Sequence, residues 1–427
     1  MVESRNMAMK TLQALIGLAA AGARGEAFNA QQIDWQAVLS LAAEQGVVPL
    51  TALAALHSPG LACPEKMRGH LMNTLRMECS TNLLRRQRAL HLIGGMRSAG
   101  IETRVLKGWA AAENYACPES RSSVDMDLLI DIKQEKAALR FLEAQGFRIT
   151  PRAKTSHHTI CQHKKYGEIE LHAALYDELI RDVWFQGMDT AALAQEEPAT
   201  IETPDGSFTA LGYTDHLIFI TLHIVKHFIL GGLTLRMMLD IALLFAHNRD
   251  KINAARFWDT MNRLRYGRLV SCVLGAMILY GGFQKTDFPG CAAAATQEIQ
   301  LILSDLLQGG YMGVKETDAR YASGMEYNRR VMLKNGSARE YRLYMLRYKV
   351  RSAAKYMFPS RRTLKQLYPR AGRHAALTPF LFVYQMFAYP IQKVCAGALR
   401  RDIRSESGEL SRETQARLDM FHKLDML

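Results

Sequence analysis

Apolar residues recur three and four positions apart in segment after segment from residue 8 to residue 99, the spacing that lines one face of a helix. The segments are an Ala/Leu-rich first helix, DWQAVLSLAAEQG with Asp34 placed as its cap, VVPLTALAAL, and a long helix from about Pro64 to Ala99. Residues 1–99 therefore read as an α-helical N-terminal region. At Gly100 the pattern breaks, a short β-type run covers Glu102 to Leu106, and strand and helix patterns then alternate. VDMDLLID reads as a strand carrying alternate acids, KQEKAALRFLEAQG as a helix closed by Gly146, and FRIT, SHHTICQH and GEIELHAAL as strands. A sheet of four or five strands with helices on it is the economical assembly for residues 100–212, and the Glu, Pro, Asp and Gly of residues 195–207 read as a loop. The helical period returns in YTDHLIFITLHIVKHFIL and TLRMMLDIALLFAHN, giving a helical region at 213–326 and a basic helical one at 327–427. No internal repeat of fixed period is present. The fold class is α+β: a small mixed sheet with helices, flanked by N- and C-terminal α-helical regions.

The chemistry concentrates between Leu106 and Ile130. Asp125 and Asp127 alternate around Met126 on an otherwise apolar strand, so both carboxylates project from the same face. Two acids side by side repel each other unless a cation neutralises them, and such a pair suits a hard divalent metal that bridges to phosphates. Upstream, Lys107 and Gly108 sit where a strand enters a helix, a place where backbone N–H groups and a lysine can cradle phosphate. Arg121, Ser122 and Ser123 just before the acidic strand add a cation and two hydroxyls. Downstream, Glu168, Glu170 and His172 alternate on GEIELH, and either glutamate can supply a third carboxylate if that strand lies beside VDMDLLI. Three carboxylates, a glycine turn and a cation are the parts of a metal-dependent phosphoryl or nucleotidyl transfer site.

These residues resemble the DNA polymerase β-like nucleotidyltransferase superfamily, and more closely its branch of uncharacterised bacterial nucleotidyltransferases. The resemblance rests on Leu106-Lys107-Gly108, Tyr115 and Pro118, Arg121, Asp125-Met126-Asp127-Leu128-Leu129-Ile130 and Glu170-Leu171-His172. It extends to IDWQAVLSLAAEQGVVPL, to the helical block that carries His223, His227, Arg236 and Asp240, and more weakly to FPSRRTLKQLYP. It implies a polymerase β-like core in which Asp125, Asp127 and Glu170 hold two Mg²⁺ ions, or Mn²⁺, and Glu170 positions or deprotonates an acceptor hydroxyl. It also implies that Lys107, Gly108, Arg121 and Ser123 face the triphosphate of an NTP donor, with His172, His223, His227, Arg236 and Asp240 lining the nucleotide site. The match to E-L-H favours Glu170 over Glu168. In two places the chain departs from the superfamily: Gly108 is followed by Trp109 where a serine is usual, and the gap from Gly108 to Asp125 is long. The implied reaction moves a nucleoside monophosphate to an acceptor hydroxyl and releases pyrophosphate, and the residues do not choose among acceptors: one related to surface polysaccharide, a small molecule, a tRNA or a protein. A kinase-like phosphotransferase, and a non-catalytic module of the same fold that binds RNA or an anionic membrane surface through the basic C-terminal region, are the rivals. The second is disfavoured because a dead site has no physical reason to keep paired acids.

Charge adds one feature. The net charge is +13, and residues 327–374 hold fourteen Lys or Arg against the single acid Glu340, so the excess lies in that segment. Tyr341, Tyr344, Tyr348, Tyr356 and Phe358 interleave with its arginines, a composition that fits nucleic acid, an anionic membrane surface or glycan, or a solvated basic face. The apolar run at 375–399 is interrupted by Pro379 and Pro390 and reads as an interfacial or buried helix pair. Seven scattered cysteines without zinc-like spacing read as reduced thiols, and the first helix as part of the fold and not as a signal peptide. The expected location is the cytoplasm, with peripheral attachment to the inner membrane surface open. His223 and His227, at i, i+4, either line the cleft or are satisfied helical histidines. Arg236 and Asp240 share that spacing as a possible ion pair. His157, His158 and His163 read first as ordinary strand residues.

Overall fold

Small side chains decide how the first helices meet. In the computed structural model, α1 (Val2–Arg24) buries Leu12, Leu15, Ile16 and Leu18 completely. It then buries Ala19 and Ala23 and brings Gly22 against α3 (Val48–His57). A Cβ on Gly22 would stand 1.9 Å from the Leu50 carbonyl oxygen, so only glycine allows this approach. Between them lies α2 (Trp35–Gln45), whose expected cap is present: the Ala37 amide donates to Asp34 Oδ1 at 3.0 Å. The structure describes residues 2–29, 33–123, 125–150, 157–176, 184–185, 194–309, 317–334, 379–381, 384 and 411–427.

The 34 residues of α4 (Glu65–Ser98), about 50 Å at 1.5 Å per residue, link the helical region to the sheet. Its last turns bury Ala89, Leu92, Ile93 and Met96, the i, i+3, i+4, i+7 set of one face, in the core under the sheet. One turn earlier, Asn82, Arg85 and Arg86 grip the segment that leads into the acidic strand. Asn82 Nδ2 donates to the Glu119 carbonyl at 2.8 Å, Arg85 to the Ser123 carbonyl at 2.8 Å, and Arg86 to Glu119 Oε1 at 2.7 Å.

Among the described residues the sheet has seven strands: β1 (Thr103–Val105), β2 (Asp125–Ile130), β3 (Arg148–Thr150), β4 (His158–His163), β5 (Gly167–His172), β6 (Ala199–Thr203) and β7 (Gly206–Ala210). Their order is β3-β4-β5-β2-β1-β7-β6. The β2–β5 and β1–β7 pairs are parallel and the others antiparallel. Four or five strands were expected, and the correction is the β6–β7 hairpin inside the stretch read as a loop. Pro204 and Asp205 are the turn between Thr203 and Gly206, and the flanking residues alternate, with Phe208 and Ala210 buried and Ser207 and Thr209 turned the other way. Met126, Leu128, Ile130, Ile169 and Leu171 pack on the core face with α6 (Glu135–Ala144), leaving the opposite face of β2 and β5 to polar groups. Short α5 (Lys107–Ala112) follows β1 directly.

Helices α7 (Tyr213–Leu230) and α8 (Leu235–His247) are apolar almost all round and almost wholly buried. They are followed by α9 (Ala254–Arg263), α10 (Gly267–Tyr280), α11 (Thr296–Gly309), α12 (Thr317–Lys334) and α13 (Arg412–Lys423). The chain divides into two compact units, Met1–Met325 with Leu418–Leu427, and Glu326–Arg417. In the first, Arg320 is fully buried against Asp305 at 2.9 Å. In the second, Glu326 accepts from Arg329 and Arg330. Beyond residue 334 the basic segment, with its expected nucleic-acid or membrane partner, lies outside the described residues, as does most of the apolar run at 375–399. No helix among the described residues is long and apolar enough to cross a membrane.

The approach at Gly22 is testable. Gly22→Val should lower stability by roughly 3 kcal/mol through overpacking, read as an earlier urea midpoint. An unchanged midpoint would show that α1 and α3 are not held at this distance.

Candidate active site

The site grows from one alternation. Because Met126 and Leu128 point to the core, Asp125 and Asp127 must point to the other face, and parallel pairing sets Asp125 opposite Glu168 and Asp127 opposite Glu170. The two glutamates have different partners. Gln162 on β4 donates to Glu168 Oε2 at 2.6 Å, whereas Glu170 belongs to a group with Asp127 and His172 whose ligand atoms all lie within 4.8 Å of one another.

Lys107 supplies the positive charge. Its Nζ lies 2.7 Å from Asp127 Oδ1 and 3.9 Å from Glu170 Oε2. Its backbone has φ 38°, a left-handed conformation that a side chain adopts at a cost, and this falls at the junction of β1 and α5 beside the acids. Gly108 next to it lies close to the segment before β2: a Cβ there would stand 2.4 Å from Ser123 Oγ, so a larger residue would have to displace that hydroxyl. His172, 1% exposed, places Nε2 at 3.0 Å from Asp127 Oδ1 and 3.4 Å from Glu170 Oε2.

The charges of this group are unequal. Burial, then the neighbouring Asp127, pushes the Asp125 carboxyl above its usual range, with Lys107 opposing. Glu170 moves the other way, held far below the usual range by His172 first, against burial, and then by Lys107 and His158. Burial works against the charged form of His172, but its contacts with Asp127 and Glu170 outweigh it and raise its pKa.

Of the other expected site residues, Arg121 and Asp240 are bound to one another. Arg121 Nε and Nη2 each donate to an Asp240 carboxylate oxygen at 2.7 Å, and the Tyr115 hydroxyl donates to Oδ1 at 2.7 Å. This buried fork joins the segment before β2 to α8, and its geometry is bidentate. The i, i+4 pairing of Asp240 with Arg236 is replaced by it, while Arg236 donates to the Ser122 carbonyl. His223 and His227 on α7 touch through their Nε2 atoms at 3.0 Å. Burial, and next the Lys107 charge, lower His223, and burial with Lys226 and Lys107 lowers His227 to about 4, so the pair is neutral and feels the site's lysine. His157 and His158, read as strand residues, stand with their rings 4.9 and 5.2 Å from that of His172. The doublet at the head of β4 and its register with His172 were the available signal.

A sequence profile described as an uncharacterised nucleotidyltransferase matches residues 31–278, a span that includes every residue of this site. The chain belongs to that family. As a member of this nucleotidyltransferase family it has the character of a transferase with a nucleotide donor and an acceptor. The matched span ends before FPSRRTLKQLYP. No curated protein and no solved structure matches the chain.

Two measurements test the site's framework. Asp240→Asn leaves Arg121 buried without its counter-charge and should cost about 3–5 kcal/mol in chemical denaturation, more than the paired replacement Arg121→Met/Asp240→Leu. If the single variant is the less damaging, the fork is not holding α8. The second is stability against pH. His216 and His227 titrate near 6.5 when unfolded but are lowered by burial to about 4 in the fold. Between those values the unfolded chain binds protons that the folded chain refuses, so stability should fall as pH drops from about 6.5 towards 4. His227→Gln should shrink that fall in the urea midpoint, and an undiminished fall would refute the assignment.

Proposed function

We propose that the chain transfers a nucleoside monophosphate from an NTP to an acceptor hydroxyl with release of pyrophosphate, in a Mg²⁺-dependent reaction at Asp125, Asp127 and Glu170. The observation that carries this reading is the register of the parallel pair: Asp127 faces Glu170 across β2 and β5, Asp125 follows on the same face, and Lys107 bridges the two strands.

The residues fit a hard divalent cation. Asp127 and Glu170 offer carboxylate oxygens, the donor type that Mg²⁺ takes, and the raised pKa of Asp125 marks a carboxylate short of positive charge. Bound there, Mg²⁺ would neutralise triphosphate charge and make an acceptor hydroxyl more acidic. The residues divide the remaining work. Glu170, held strongly acidic, is suited to remain a charged ligand and not to take up a proton. The hydroxyl proton would pass to a carboxylate of this face, Asp125 among them, as the acceptor oxygen bonds to the α-phosphorus and the bond to the leaving pyrophosphate breaks. Lys107 Nζ is the cation best placed for phosphate oxygens. His223 and His227, being neutral, add no charge to compete with it.

Calorimetric titration of the four NTPs with Mg²⁺ into the full chain tests the proposal. One nucleotide should bind only with metal, the Asp125→Asn/Asp127→Asn variant should bind it about 100-fold more weakly or not at all, and turnover should yield pyrophosphate. Equal binding by the variant, or nucleoside diphosphate as product, would overturn it.

A further inference from the structure

We propose that His157, His158 and His172 form a second metal site, a three-imidazole centre for a borderline divalent cation of the zinc type, beside the carboxylate group and different from it in ligand chemistry. Each of the three can offer one ring nitrogen, and these nitrogens all lie within 4.8 Å of one another. The backbone holds them there. His158 and His172 are directly opposed in the antiparallel β4–β5 ladder, which puts both rings on one face of the sheet. His157, one residue outside β4, is tied to the same strand end by the Ala173 amide, which donates to its carbonyl at 3.0 Å. The ring centroids are 4.7 Å apart for His157 and His158, 4.9 Å for His157 and His172, and 5.2 Å for His158 and His172.

A second observation points to a ligand. The Nε2 of His172 is engaged at 3.0 Å by Asp127, but its Nδ1 is buried and has no hydrogen-bond partner. A buried polar atom without a partner is costly, and a cation on that nitrogen would satisfy it. The resulting order, carboxylate to Nε2 and Nδ1 to metal, is the arrangement in which ligating histidines are oriented by an acid behind them. The donor set also selects. Three neutral imidazoles without thiolate suit Zn²⁺ and its neighbours in the first transition row, and disfavour Mg²⁺, which takes oxygen. Three protein nitrogens leave a fourth position of a tetrahedral ion open to water. Occupancy fixes one tautomer of His172, with the proton on Nε2 donating to Asp127, so the metal would orient a carboxylate of the neighbouring site.

The test uses the full, untagged chain, stripped by chelator and titrated with Zn²⁺ against a chromophoric competitor, without nucleotide, so that its result is independent of the transfer reaction proposed above. One Zn²⁺ per chain is expected, undisplaced by excess Mg²⁺ and bound about 100-fold more weakly by His157→Gln/His158→Gln. Co²⁺ in the wild-type chain should show the intense visible bands of a four-coordinate nitrogen site, a readout that needs no variant to fold. His223→Gln/His227→Gln should bind Zn²⁺ as the wild type does. No binding by the wild type, undiminished binding by the His157/His158 variant, loss in the His223/His227 variant instead, or the weak bands of an oxygen-ligated octahedral Co²⁺ would each overturn the proposal.

Discussion

Like charge brought together on a half-buried sheet face is the constraint that the rest of the first unit answers. Asp125, Asp127 and Glu170 occupy adjacent positions of a parallel strand pair, and Asp127 is 2% exposed. Carboxylates so placed are driven towards protonation unless positive charge reaches them. The chain brings it from one residue before the glycine turn: Lys107, whose left-handed backbone and lack of distance from β2 let Nζ meet Asp127 and Glu170 together. The alternation that packs Met126 and Leu128 into the core is the same alternation that turns the acids to the opposite face, so the core and the site are two sides of one pattern.

Holding that face steady requires supports on the segment between α5 and β2. Arg85, Arg86 and Asn82 reach it from α4, and Arg121 reaches out from it to Asp240 on α8. The fork of Arg121 is desolvated, and desolvation alone would make its charge costly. Two charge-assisted bonds to Asp240 and the Tyr115 hydroxyl on the same carboxylate offset that cost. An arginine bound in this way is a strut. Its place near Gly108 and Ser123 means that it sets the shape of the turn even though its own donors are mostly taken.

Much of this was legible in the sequence where a local rule decides the outcome. The Asp34 cap, the end of α6 before Gly146 and the facing of the acids all follow from spacing of a few residues. What escaped depends on partners far along the chain. The β6–β7 hairpin was hidden because Pro204, Asp205 and Gly206 signal a loop as well as a turn, and what joins the hairpin to the sheet is the pairing of β7 with Val105, about a hundred residues away. The preference for Glu170 over Glu168 could not come from alternation, since both face one side. Gln162 on β4, donating to Glu168, supplies the difference. Arg121 and Asp240 read as separate ligand-facing groups because 119 residues separate two halves of one ion pair.

The histidines around the site follow the same electrostatic logic with opposite outcomes. His172 touches two carboxylates, which outweigh its burial and raise its pKa. His223 and His227 touch each other and feel Lys107, so burial and a like charge act together and lower theirs. Around a single lysine the fold thus sorts its imidazoles, placing the one that can carry a proton against the acids and keeping the neutral pair on α7. A charged pair there would repel Lys107 and compete for the carboxylates. Neutral imidazoles leave the negative potential of Asp125, Asp127 and Glu170 to be met by the lysine and by whatever cation arrives, and negative potential in a partly desolvated cleft is the condition under which a divalent ion binds.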